Sequence, residues 1–194
     1  MKLTRQDLWT LEDYSERRDR FRSEVIEHKK HRRVFLGPHA TLYFEDNTTM
    51  RYQVQEMLRV EKIFTSVEIE EELAAYNPLI PDGSNWKATF MIEYSDSEER
   101  RLALTRMAGI EHRVWVKIGD SKQIMAVANE DLERSNEEKT SAVHFLRFEL
   151  PESTKQAVLA GAVIQMGIDH SELPCEVILD SETRTSLVQD LSAN

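Results

Sequence analysis

The stretch from Trp86 to Tyr94 alternates without a break: Trp86, Ala88, Phe90, Ile92 and Tyr94 fall on one side of an extended chain, and Lys87, Thr89, Met91 and Glu93 on the other. That period suits a strand with one buried and one partly wet face, which antiparallel sheets provide and fully parallel ones do not. Arg33 to Leu36 and Thr41 to Phe44 read as two short strands about the turn Gly37-Pro38-His39. Arg113 to Ile118 and Gln123 to Ala128 read as a second pair about Gly119-Asp120-Ser121-Lys122. Ala142 to Leu150, Ala162 to His170 and Cys175 to Leu179 complete the strands.

Helical segments surround them. Thr4 with Asp7 resembles a capping box ahead of Leu8, Leu11 and Tyr14, and Ser15 caps a second segment bearing Phe21, Val25 and His28. Asp46-Asn47-Thr48-Thr49 caps a helix whose stripe runs Met50, Val54, Met57, Glu61 and Phe64. Thr65 with Glu68 opens another, carrying Ile69, Leu73 and Tyr76 until Asn77-Pro78 stops it. Ser95 to Gly109, Glu152 to Ala160 and a segment capped by Ser181 read as further helices. Residues 129 to 141 are almost wholly polar and read as a surface loop or short exposed helix. With 194 residues, 40% of them apolar, and no repeat or linker, the expectation is one α+β domain over residues 1–194. It has a mostly antiparallel sheet with N-terminal and flanking helices.

Several function classes lose support. No stretch approaches the roughly 18 to 20 apolar residues of a membrane span, and the first residues lack the apolar core of a signal peptide, so a cytoplasmic protein is expected. Cys175 is the single cysteine, which excludes a CxxC pair or a cysteine-rich zinc site. The net charge of −10 is uneven. Arg17, Arg18, Arg20, Arg22, Lys29, Lys30, Arg32 and Arg33 make a basic strip on an otherwise acidic chain, which disfavours nucleic acid as a partner. The strip suits an acidic partner or a phosphate, or simply pairs with the protein's own carboxylates. No Gly-rich phosphate loop, GxSxG elbow or dinucleotide fingerprint occurs.

The histidines are the main candidates for chemistry. Strands 142–150 and 162–170 are symmetric about residue 156, so antiparallel pairing through the intervening helix would set His144 beside His170. His39, at the tip of a turn, would then complete a three-histidine site with Glu61 or Asp169, a donor set that suits a single zinc or non-haem iron ion. The competing account is a hydrogen-bonded core histidine, and for Glu61 an ion pair from another element, since a carboxylate on an apolar stripe needs a partner. Asp82 and Ser84 lie in a turn that offers amides and a hydroxyl to an anion, though a plain β-turn explains them as well.

Several longer segments carry a family likeness: His28-Lys29-Lys30, Gly37-Pro38-His39, Tyr52 to Arg59, Tyr76 to Asn85, Asp131 to Asn136, Lys139 to Phe145 and Asp169-His170. Across nearly the whole chain they resemble an uncharacterised bacterial family known only as a domain of unknown function. The resemblance implies no activity. Through gene neighbourhood it implies an association with rubrerythrin-like proteins and with iron–sulfur oxidoreductases of the heterodisulfide-reductase type, and so with oxidative stress. His28, His39, His144 and His170 lie inside the matching segments. The expected function is therefore an accessory or interaction protein of such a redox system, docking through the strip that includes His28, Arg32 and Arg33. The rival is a small metal-dependent enzyme using the histidine cluster, and a third reading is an anion sensor using the strip and the Asp82 turn.

Overall fold

Trp86, Ala88, Phe90 and Ile92 are buried along strand β3 (Asn85–Ile92), while Lys87, Thr89 and Met91 between them are only partly covered. The computed structural model, which describes residues 2–130 and 139–192, makes β3 the centre of a five-stranded antiparallel sheet. On one side lie β2 (Ala40–Phe44) and β1 (Arg33–Phe35), on the other β7 (Val143–Glu149) and β6 (Val127–Ala128). A second antiparallel sheet has the order β5 (Ile124–Met125), β4 (Val114–Ile118), β8 (Ile164–Ile168), β9 (Cys175–Ile178).

Two sheets thus stand where one was expected, and the reason lies at Ala126. The segment 123–128 does not form one strand: β5 pairs with β4, the Ala126 N–H donates to the Val114 carbonyl at 2.8 Å, and β6 crosses to pair with β7. A single core fills the space served by both sheets. Leu42, Phe44, Phe90, Leu146 and Phe148 of the first join Val114, Val116, Ile164 and Met166 of the second, with Leu187 and Leu191 of helix α6 (Ser181–Ser192). The fully buried Trp86 indole donates its Nε1–H to the Leu187 carbonyl at 2.8 Å, so its polar edge is satisfied. At Gly167 of β8 a Cβ would run into the Trp115 ring and the Cys175 carbonyl, which explains a glycine in a buried strand. The expected antiparallel α+β domain is therefore observed, divided into two sheets.

The first helix also differs from expectation. Thr4 and Asp7 do form a capping box, but it closes only a 3₁₀ turn, Arg5–Asp7. Helix α1 then runs unbroken over Leu11–Lys30, because Thr10 supplies the N-cap through an Asp13 N–H bond of 3.1 Å and Ser15 stays exposed inside it. Tyr14, Phe21 and Val25 form its buried stripe, and His28, Lys29 and Lys30 complement the carbonyl end. Helix α2 (Asn47–Glu61) begins at Asp46 with a reciprocal cap to Thr49 and stops where Lys62 turns left-handed at φ 55°. Helix α3 (Ser66–Tyr76) is capped by Thr65 and ends in a 3₁₀ turn, Asn77–Leu79. Met50, Val54, Leu58, Leu73 and Ile80 cluster with Leu3, so α2, α3 and the N-terminal segment share a smaller core. The remaining helices are α4 (Ser97–Arg106) and α5 (Glu152–Leu159). The polar segment expected as a loop lies, for residues 131–138, outside the described residues. Among the described residues no helix is long and apolar enough to cross a membrane.

Candidate functional site

The wet face of the first sheet carries the most concentrated chemistry. In the β3–β7 ladder Lys87 lies directly opposite Arg147, Thr89 opposite Phe145, and Asn85 opposite Glu149. Alternation sends all six side chains to the face away from the Trp86–Phe148 pair, and α3 with its following turn overhangs that face. Between them lies a cleft of about 270 Å³, walled by Ala75, Pro78, Leu79, Phe145 and Leu146 and bearing Glu45, Lys87, Glu130 and Arg147. It continues into a more open groove lined by Lys2, Ile80, Pro81, Asp82, Asn85 and Glu149. Asn77 fixes one side of this groove by holding the Leu3 backbone, accepting from its N–H at 2.7 Å and donating to its carbonyl at 2.9 Å.

Each charged group is held in place. Arg147 donates Nε–H and an Nη2–H to the two oxygens of Glu130, both at 2.8 Å, and its other terminal nitrogen meets Glu149. This fork holds the Glu130 carboxyl below its ordinary range. The Lys87 ammonium donates to the Pro78 carbonyl at 2.6 Å. Burial lowers its pKa, Arg147 lowers it further, and Asp82, Glu130 and Glu149 oppose them without prevailing. Glu45, itself buried, accepts from the Thr49 and Thr89 hydroxyls, each at 2.7 Å. The result is an apolar pocket whose polar floor places two cations side by side.

Of the residues singled out from the sequence, Asp82 and Ser84 belong to this site. Asp82 accepts from the Ser84 N–H at 3.0 Å and its hydroxyl at 2.7 Å, and the same hydroxyl lies 2.8 Å from Glu149. Burial would raise the Asp82 carboxyl, but the Ser84 and Asn85 bonds hold it below its ordinary range. His28 and Arg32 lie elsewhere, in a polar cluster that ties α1 to α6. The buried Arg32 donates to Asp190 at 2.7 Å and to the carbonyls of Phe44 and Glu45, with Asp46 at 3.4 Å. His28 Nε2 lies 2.6 Å from Asp46. Much of the basic strip is likewise paired internally, Arg18 with Glu56, Arg20 with Glu24 and Lys30 with Glu27. Arg33 is exposed over the Phe35 ring.

The histidine cluster does not form as expected. β7 pairs with β3 and β6, and β8 with β4 and β9, so the strands bearing His144 and preceding His170 belong to different sheets. Helix α5 between them acts as a crossover; a connection with a helix in it imposes no hairpin register. His144 is fully buried, with Nε2 2.8 Å from Thr140 Oγ1 and 3.0 Å from the Ser141 carbonyl, Nδ1 3.2 Å from Asn129 Oδ1, and the buried Glu111 carboxylate 3.9 Å away. His170 accepts the Glu172 N–H in a turn. His39 stacks on Tyr94, ring centroids 3.9 Å apart, and meets the Glu93 carbonyl. Glu61 is the exposed last residue of α2, whose buried stripe is Met50, Val54 and Leu58 and so passes it by. Among the described residues, no group of three or more His, Cys, Asp or Glu is placed to hold a metal ion.

Sequence reasoning passed over Lys87, Glu130 and Arg147. The signal was half present: the alternation already puts Lys87 and Arg147 on definite strand faces, but only the β3–β7 pairing makes those faces one.

Comparison with known proteins places the chain in a family without assigning it a role. A crystal structure at 1.90 Å of a protein of unknown function from Burkholderia pseudomallei K96243 is 50% identical, with a TM-score of 0.93, over 98% of this chain and 100% of that one. No curated protein matches this sequence. The model of a family described as protein of unknown function, DUF3501, matches residues 2–191. With that match over nearly its whole length, the chain belongs to the DUF3501 family.

Proposed function

We propose that this protein is a ligand-binding accessory protein, which takes a small molecule into the cleft between the first sheet and α3 and serves a rubrerythrin-type or iron–sulfur redox system without carrying the redox centre. One observation carries the binding reading. Lys87 and Arg147 are opposed cross-strand neighbours at the floor of an apolar cavity. Like charges directly opposite each other weaken a sheet, here offset by Glu130, Glu149 and the Pro78 carbonyl, and a few charged groups gathered on the floor of an apolar cavity are the means by which a pocket orients a ligand. The family-like segment Tyr76 to Asn85 contributes Asn77, Pro78, Ile80, Pro81, Asp82 and Asn85 to the walls, which supports the cleft as the working part of the molecule.

The accessory role draws its support from the family resemblance and from the lone cysteine. Cys175 is half-buried in β9, and burial raises its thiol, which suits packing better than thiolate chemistry. The test has two arms. Thermal unfolding against a panel of small organic ligands should reveal stabilisers whose effect disappears in Ala75→Trp, where the indole fills the cleft. Low-salt co-purification with rubrerythrin-like and iron–sulfur proteins should recover a partner. A panel without a stabiliser would overturn the binding reading, and failure to retain any such partner would overturn the accessory role.

A further inference from the structure

We infer that the ligand of this cleft is a small carboxylate with an apolar body, and that Glu130 occupies its place in the unliganded protein. The inference rests on the binding reading above and names its ligand class. Arg147 projects from the middle of β7, its backbone held on both flanks by β3 and β6, and its remaining terminal nitrogen is anchored by Glu149 of the same strand. Glu130, in contrast, lies beyond the end of β6 and its side chain is half exposed. Its two oxygens take Nε and Nη2 of Arg147 at equal distances of 2.8 Å, the parallel two-bond fork by which a guanidinium recognises any carboxylate. A ligand carboxylate can therefore replace Glu130 bond for bond, and Lys87, opposite in the ladder, gives it a second positive neighbour.

The rest of the pocket sets the body of the ligand. Ala75, Pro78, Leu79 and Phe145 offer no charge, so the part that enters beneath α3 is apolar. A volume of about 270 Å³ lies below the roughly 300–1,000 Å³ of pockets for drug-sized molecules, which suits a body of about one aromatic ring or a short alkyl chain. Glu45 stays out of the exchange, because both of its oxygens are taken by the Thr49 and Thr89 hydroxyls. The polar groove beyond Asp82 and Asn85 leaves room for substituents next to the carboxylate.

Three probes of one shape separate the possibilities: 3-phenylpropanoate, its neutral amide 3-phenylpropanamide, and the cation 3-phenylpropylamine. Each is titrated by NMR into the full chain and into the variants Glu130→Gln, Arg147→Lys and Ala75→Trp. The acid should bind, more tightly by about tenfold in Glu130→Gln, where the internal competitor has lost its charge, and more weakly by tenfold or more in Arg147→Lys, which cannot present the fork. Ala75→Trp should abolish binding. If the amide or the amine binds as well as the acid, and Glu130→Gln leaves the acid unchanged, the carboxylate assignment fails while the cleft stands as a binding site. If none of the three binds any form of the protein, the assignment and the binding reading fail together.

Discussion

Arg147 of β7 stands directly across from Lys87 of β3, two cations facing each other in the middle of an antiparallel ladder. Glu130 and Glu149 bind the guanidinium, and the Pro78 carbonyl takes the ammonium, so the sheet tolerates the pair by surrounding it with oxygen. Stability and function make opposite demands at this point, and the predictions begin there.

Neutralising both carboxylates exposes the repulsion. The double variant Glu130→Gln, Glu149→Gln should lose about 0.5–1 kcal/mol in urea denaturation, less in high salt, since the groups are partly exposed. Adding Lys87→Met to it should recover most of the loss. A double variant as stable as the parent at low salt would show that the two cations do not strain the ladder.

The Arg32 cluster makes stability depend on pH in a defined direction. Burial pushes the Asp190 carboxyl up to about 6, with Asp46 adding to the effect while Arg32 and, more weakly, His28 oppose it. A folded pKa raised above the unfolded value gives stability that is complete below about pH 4 and lost as pH rises through 6. The stability of wild type relative to Asp190→Asn should therefore fall between pH 4 and pH 6 and level off above 7. A difference that grows over that interval would mean that the Arg32 bond, at 2.7 Å, outweighs burial.

Gly167→Ala tests the contact between β8 and its neighbours. The added methyl meets the Trp115 ring and the Cys175 backbone together, and a backbone atom cannot turn aside as a side-chain end can. A loss of about 2–3 kcal/mol is expected from chemical denaturation, as for overpacked cores. A loss below about 0.5 kcal/mol would show that β9 yields easily.

His144 and His170, which the sequence groups as candidates for one site, should behave differently. His144→Leu removes the bonds to Thr140, Ser141 and Asn129 inside the core and should cost about 2–3 kcal/mol. His170→Ala, in a half-exposed turn, should stay within about 0.5 kcal/mol of wild type. Equal losses would show that the His170 turn contributes as much stability as the buried His144 network.

How far the fold can be read from the sequence depends on whether the signal is local. The β3 alternation, the caps at Asp46 and Thr65 and the β1–β2 hairpin each occupy one short stretch, and each is found as read. The Ser15 cap misleads because Thr10 lies earlier in the same helix and leaves Ser15 no terminus to cap. The pairing of β7 and β8 is a matter between sheets, and a connection through α5 contains no register to read. The cleft is hidden for the same reason: Lys87 and Arg147 are distant in the chain, and nothing near either residue announces the other. Asp82 and Ser84 were legible as a turn that could meet an anion, yet their part in the groove follows only from Glu149 reaching them.

The pKa of the Lys87 ammonium, followed by ¹⁵N NMR of its Nζ, tests the opposed cations most directly. It should titrate below the ordinary 10.5 in the free protein and lower still in Glu130→Gln, where saturating 3-phenylpropanoate should move it back up by restoring the negative charge that Glu130 supplies. A value at or above 10.5 that the carboxylate leaves unchanged would contradict the account.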